Sequence, residues 1–157
     1  MTNLPRPGRV ANKVALISGA LGGIGSAIAR RLGQEGARIA LADLPGEAQA
    51  VASIAALESL KAEGIDAIHV ELDVRMETSW QMAVAQTVAH FGRLDVLVNN
   101  AGIGLPPPES FDQTEFADWR KIMSVNLDGT FLGMREGVRA MKDTGGGSII
   151  NIGSIAA

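Results

Sequence analysis

Cysteine and tyrosine are both absent from the 157 residues. Without cysteine there is no disulfide framework and no thiolate metal site. Without tyrosine the chain has no phenol to act as an acid or base. Aromatic residues make up only 4%. The two histidines, His69 and His90, lie on different predicted elements with no carboxylate motif beside them, which argues against a metal centre. Lys and Arg number 14 against 17 Asp and Glu, giving a net charge of −3 and a pI near 5.4. The basic residues do not cluster, so nothing recruits nucleic acid or an anionic membrane. No run approaches the ~18 apolar residues of a membrane span. The segment 1–12 carries Pro5, Arg6, Pro7 and Arg9 but no apolar core. It is expected to be a flexible arm and not a signal peptide. A soluble, cytoplasmic protein is the expectation.

What is present is a core and many turns. Apolar residues reach 46%, and glycines number 19, too many for a helical bundle. Strand-like and helix-like segments alternate. Val14–Ile17 is a short apolar run suited to a strand buried on both faces. Ile24, Ile28 and Leu32 recur at helical spacing, and Gly36 can end that helix. A second strand is expected over 38–43. A helix over 47–63 follows, with Val51, Ile54, Ala55 and Leu57 on its apolar side. Ile68, Val70 and Leu72 alternate with His69 and Glu71, as in a strand near a sheet edge. Trp80, Val84, Val88 and Phe91 stripe a third helix that stops at Gly92. Val96–Val98 is a fourth buried strand. One long helix is expected over 115–141, with Phe116, Trp119, Met123 and Leu127 among its apolar positions. Ser148–Ile152 is a fifth strand. This order predicts an α/β fold, a Rossmann-type doubly wound parallel sheet of order 3-2-1-4-5, as one domain over 13–157. Its ligand crevice should open between strands one and four. The stretch from Leu105 to Pro108 reads as a stiff loop.

The loop Gly19-Ala20-Leu21-Gly22-Gly23-Ile24-Gly25 sits between the first strand and the first helix. Gly19 permits a tight exit from the strand. Gly23 and Gly25 let phosphates and the neighbouring strand approach the backbone. The helix that follows turns its free N–H groups and positive dipole end to the loop, which suits a pyrophosphate. No Lys-Ser or Lys-Thr pair follows, so this is not a P-loop. Asp43 ends strand two, 18 residues after Gly25. That is close to the ~20 expected for an acid that binds a ribose 2′-hydroxyl, and it favours NAD over NADP. A turn-forming Asp at a strand end is the plainer alternative.

Taken together, these segments resemble the classical short-chain dehydrogenase/reductase family. Residues 18–25 resemble its T-G-x-x-x-G-I-G signature, with Ser18 in place of Thr. Asn99-Asn100-Ala101-Gly102 matches its N-N-A-G after strand four. Leu72-Asp73-Val74 resembles its adenine-contacting segment, Val125-Asn126 the place of its helical Asn, and Ile150 to Ser154 the strand end that carries its Ser. The resemblance implies an NAD-dependent oxidoreductase that interconverts a secondary alcohol and a ketone by hydride transfer. It implies that Gly19, Leu21, Gly22, Gly23, Ile24, Gly25 and Asp43 hold the dinucleotide. By the same resemblance, Asp73 accepts from the adenine amino group and the Val74 backbone pairs with the ring. Asn100, Ala101 and Gly102 bring backbone close to the ribose, while Asn99 braces neighbouring strands. Ser154 positions the substrate oxygen, and Asn126 holds a relay water. A turn residue at Ser154 and a helix-bending residue at Asn126 are the plainer alternatives. A homodimer or homotetramer is implied, with the long helix in the interface.

The family's Tyr-x-x-x-Lys motif has no counterpart in these residues. The chain as written is therefore expected to bind a cofactor without running the family's chemistry. It is expected to be the N-terminal part of a longer enzyme, with the fold incomplete after strand five. A non-catalytic NAD-binding relative, truncated or degenerate, is the alternative. An S-adenosylmethionine methyltransferase would use a similar fold, but the N-N-A-G segment and Ser154 speak against it.

Overall fold

The computed structural model describes residues 8–104 and 111–154. The expected loop at 105–108 lies outside the described residues, as do 1–7. Among the described residues five parallel strands stand in the order β3-β2-β1-β4-β5. They are β1 (Val14–Ser18), β2 (Arg38–Asp43), β3 (Ala67–Glu71), β4 (Val96–Asn99) and β5 (Ser148–Asn151). The helices between them are α1 (Gly23–Gln34), α2 (Glu47–Ala62), α3 (Glu77–Phe91), α4 (Phe116–Met123) and α5 (Gly129–Lys142). The predicted order is the observed one, and β1 pairs with β4 at the sheet centre.

The side-chain alternation of the central strands divides them between two cores. Val14 and Leu16 of β1 join Ala40, Ala42, Val70 and Leu97 in a cluster with Trp80, Val84 and Phe91 of α3. Ala15 and Ile17 join Ile39, Leu41, Val96 and Val98 in a cluster with Ala29 of α1 and Leu60 of α2. Strands covered on both faces carry nearly unbroken apolar runs. Right-handed crossovers put α1 and α2 on one face and α3 and α5 on the other.

Several expectations need correction. Of the apolar side expected for α2, only Leu57 packs on the core. Val51 and Ile54 are exposed, and Ser53, Ala56, Leu57 and Leu60 face the sheet. With apolar residues around much of α2, its composition alone could not identify the buried stripe. Ile24 of α1 is also exposed, while Ile28 and Leu32 pack on the core. Residues 8–12, assigned by sequence to the arm, are tied to the end of α1. Val10 N–H donates to Glu35 O, and Asn12 N–H donates to Gly36 O. The expected long helix over 115–141 is interrupted by a π-helical turn at Ser124–Asp128, where Gly129 N–H reaches back to Ser124 O. Phe116, Trp119 and Leu127, among the apolar positions expected of that helix, are exposed.

Helix α5 lies unusually close to the sheet, for a reason visible in its sequence. Gly129, Gly133 and Gly137 are spaced by four and share one face. A Cβ at Gly133 would lie 2.2 Å from Asn99 Oδ1 and 2.7 Å from the Trp80 ring. Gly129 sits against Val74 and Gly137 against Leu97 in the same way. Asn99 Oδ1 is buried without a hydrogen-bond partner, and the Gly133 backbone fills the space beside it.

At the end of the sheet opposite the crevice, buried Asp95 ties β1 to β4. Its Oδ2 accepts from Val14 N–H (3.0 Å) and Arg93 Nε (2.8 Å), and its Oδ1 from Arg93 Nη2 (2.6 Å) and Lys13 Nζ (3.4 Å). Burial pushes the carboxyl upward. The hydrogen bonds from Arg93, Val14 and Lys13, with the charge of Arg93, outweigh that and hold it below the ordinary carboxylate range. A group lowered by folding stabilises the folded state fully above its unfolded value, about pH 4. That contribution is lost as pH falls through the folded value. Asp95→Asn should cost about 3 kcal/mol at pH 7, and its deficit against wild type should shrink below pH 4. Denaturant unfolding from pH 7 to pH 3 measures this, and a deficit independent of pH would contradict the assignment.

Candidate functional site

The crevice forms where β1 and β4 leave the sheet. Gly19 turns the chain out of β1 at φ +63°, a left-handed conformation that glycine adopts without strain. Gly25 is buried against the returning loop, and a Cβ there would lie 2.3 Å from Gly19 O and 2.8 Å from Asn100 Nδ2. Gly23 has nothing within 4 Å of its would-be Cβ, so the first turn of α1 opens on free space. No side chain caps α1 at Gly22, and no acidic residue stands in its first turn. The two glycines thus have different tasks: Gly25 admits the protein's own backbone, and Gly23 leaves room for a ligand. This cradle, with an uncapped helix start above it, fits a dinucleotide pyrophosphate.

Ser18 and Asn100 hold the cradle in place. The Ser18 hydroxyl accepts from Asn100 N–H and Ala101 N–H, both at 3.0 Å. Asn100 Nδ2 donates back to Ser18 O (2.9 Å) and Gly19 O (3.1 Å). Ser18 was not among the expected site residues, although it stands inside the loop motif. Asn99 is the strand brace that the resemblance implies, donating to Asn151 Oδ1 across the β4–β5 register at 2.8 Å.

Asp43 leaves β2 facing the loop. Its Oδ2 accepts from Leu21 N–H and its Oδ1 from Leu44 N–H, both at 2.9 Å. A cleft of about 250 Å³ gathers Gly19, Asp43, Asp73, Val74, Ala101 and Gly102 from the expected set. Leu44, Leu72, Arg75, Ile103, Lys121 and Val125 complete its lining. Trp80 Nε1 donates to Val74 O at 3.0 Å and so fixes that backbone. The Asp73 carboxylate is held by Arg75, whose Nε lies 2.9 Å from Oδ1 and Nη2 2.6 Å from Oδ2. These hydrogen bonds hold Asp73 below the ordinary carboxylate range against an upward push from burial. Arg75 was missed by the sequence reading. Its spacing of two from Asp73 after a strand was the available signal.

Asn126 lies in the π-helical turn, a feature frequent at functional positions. Its Oδ1 accepts from Ile103 N–H (2.9 Å) and its Nδ2 donates to Ile103 O (3.0 Å). The side chain therefore pins the loop after β4, and its own carbonyl accepts from Thr130 Oγ1 at 2.8 Å. Ser154 is exposed, three residues beyond β5, and is not among the residues that line the cleft. Among the described residues no group of three His, Asp or Glu is placed to hold a metal ion. Among them, too, no helix is long and apolar enough to cross a membrane.

A family model described as short chain dehydrogenase matches residues 13–157. The chain is 47% identical over 150 residues to a trans-4-hydroxycyclohexanecarboxylate dehydrogenase of Sinomonas cyclohexanicum, covering 94% of this chain and 57% of that protein. It is 45% identical over 151 residues to a 3-alpha-(or 20-beta)-hydroxysteroid dehydrogenase of Mycobacterium bovis, covering 94% of this chain and 54% of that one. A solved short-chain dehydrogenase/reductase of Serratia marcescens, a doubly substituted variant, superposes with a TM-score of 0.82 at 34% identity. That match covers 93% of this chain and 57% of the other. The chain belongs to the short-chain dehydrogenase family, and it spans little more than half the length of these relatives.

Removing the Ser18 hydroxyl would leave two N–H groups unpaired at the centre of the cradle. Ser18→Ala should therefore lower stability by about 2 kcal/mol and weaken dinucleotide binding. Ser18→Thr, which keeps the hydroxyl, should retain most of both. Equal behaviour of the two variants in unfolding and titration would refute this role.

Proposed function

We propose that this chain supplies the cofactor half of an NAD-dependent oxidoreductase that interconverts a secondary alcohol and a ketone. The observation that carries the reading is Asp43, held against the glycine loop through Leu21 N–H beside an uncapped helix start. That carboxylate supports the reading because it would accept from a ribose diol and repel a 2′-phosphate. In this reading the loop of Gly19, Leu21, Gly22, Gly23, Ile24 and Gly25 cradles the pyrophosphate. Asp73 and Val74 meet the adenine, and Asn100, Ala101 and Gly102 set the backbone beside the ribose.

When bound, a nicotinamide would supply hydride chemistry at the carbinol carbon, and the hydroxyl proton released with the hydride would need a base other than the residues named here. Ser154 would hold the substrate oxygen through its hydroxyl. Asn126 acts first as a positioning residue for the Ile103 backbone, and a relay water would use a lone pair that this pairing leaves free. The names of the two relatives above, a hydroxycyclohexanecarboxylate and a hydroxysteroid dehydrogenase, support a hydroxylated small-molecule substrate. The 157 residues include no tyrosine. That favours a second reading for these residues by themselves: NAD binding without turnover.

NAD should bind more tightly than NADP, and Asp43→Ala should narrow the gap at least tenfold by removing the charge that repels the phosphate. Direct calorimetric titration of both cofactors decides this, and tighter NADP binding by wild type would sink the reading.

The proposal extends to self-association. Phe116 stacks on Trp119, and Phe131 and Val138 are exposed on α5, so α4 and α5 present apolar side chains to solvent. A homodimer or homotetramer through these helices would bury them. Sedimentation should show a concentration-dependent oligomer that Phe131→Lys dissociates, and a monomer throughout the micromolar range would count against it.

A further inference from the structure

The two cations that line the cleft are spent differently. Arg75 places Nε and Nη2 on the Asp73 carboxylate at 2.9 and 2.6 Å, so that pair closes on itself. Lys121 stands exposed in the last turn of α4. Among the described residues its ammonium has no ion-pair or hydrogen-bond partner. Its backbone is held, since Ser124 Oγ donates to Lys121 O at 2.8 Å. Val125, four residues further on, lines the cleft as well, so both side chains share one side of the helical segment. The neighbouring Arg120 is turned elsewhere, over the Trp119 ring. Among the described residues Lys121 is thus the uncommitted cation of the cleft that also holds Asp43.

We propose that Lys121 is a specificity-determining residue that draws the 2′-phosphate of NADP into the cleft and so limits how strongly Asp43 excludes that cofactor. This rests on the reading above, in which the adenosine half of the dinucleotide lies in this cleft. The 2′-phosphate adds close to two negative charges at neutral pH, and NAD lacks them. Asp43 repels that group with a charge already shared by two backbone N–H donors, those of Leu21 and Leu44. Lys121 attracts it with a charge that no described residue shares. Asp43 and Asp73 are matched by Arg75 and Lys121, so the described lining carries no net charge. Asp43 alone would make it acidic. A cleft of about 250 Å³ keeps its walls within roughly one Debye length, about 8 Å at physiological salt, so both charges act on the same phosphate. Lysine suits this task, because its flexible stem lets a point charge follow the phosphate without a fixed geometry.

The test is calorimetric titration of NAD and NADP at low and at high salt. Wild type should bind NADP measurably, though more weakly than NAD. Lys121→Met keeps an unbranched stem and a good helix former. It should weaken NADP at least about three times more than NAD. Lys121→Arg, which keeps the charge, should hold the wild-type ratio within about twofold. Added salt should cost wild type more affinity for NADP than for NAD, and Lys121→Met should lose most of that difference. A merely structural Lys121 would weaken both cofactors in parallel. That result, or an unchanged ratio, overturns the inference, and so does a wild type that binds NAD without binding NADP. In each of those cases the dinucleotide reading stands. Wild type binding neither cofactor removes the dinucleotide reading and this inference with it.

Discussion

The exchange of hydrogen bonds between Ser18 and Asn100 is the constraint on which the crevice depends. Parallel strands end with their carbonyls and amides pointing past the sheet, and at a switch point the two flanking chains leave in opposite directions. Nothing in the ladder holds those departing segments together. Here Ser18 accepts two amides from the β4 exit, and Asn100 returns two donors to the β1 exit. Four bonds between Ser18-Gly19 and Asn100-Ala101 close the mouth of the sheet at a fixed width. Gly25 can then pack on Gly19 O, which sets the start of α1 over the opening. Loosening the brace would shift the loop, the helix end and Asp43 together, because Asp43 is bonded to Leu21.

The opposite wall is set from the other side of the sheet. Gly133 lets α5 approach until its backbone lies against Asn99 and Trp80. Trp80 in turn holds Val74 O, so a close helix contact reaches the cleft through one indole. The π-helical turn just before α5 carries Asn126 to the loop at Ile103. A regular helix through 124–128 would alter the angular position of Asn126 relative to α5 by a large part of a turn. The close packing and the irregular turn therefore act on the same short backbone from two directions.

Strand order and the division of helices between faces were legible because they follow from a short list of rules: apolar runs, right-handed crossovers and a glycine loop after the first strand. The loop motif and Asp43 were legible because their spacing has a physical cause. What escaped was the part that depends on contacts. Val51 and Ile54 are as apolar as Leu57 and Leu60, and only packing shows which pair faces the sheet. Arg75 is one of 14 basic residues, and its spacing of two from Asp73 gains meaning only from its geometry on that carboxylate. A π-helical turn has no composition of its own. The four-residue glycine spacing in α5 was readable as a close approach, but its partner on the sheet was not.

The way the proposed cofactor-binding residues are held bears on function. Asp43, Asp73, Val74 and Asn100 are each fixed by backbone or side-chain hydrogen bonds on strands buried within the sheet or on the segments leaving them. A ligand meeting them would find its acceptors and donors already oriented, so little ordering cost would be added to binding. That preorganisation is a property of the cleft itself, because the bonds that hold these groups also hold the exits of β1, β2 and β4, and the proposed dinucleotide site takes it from the sheet.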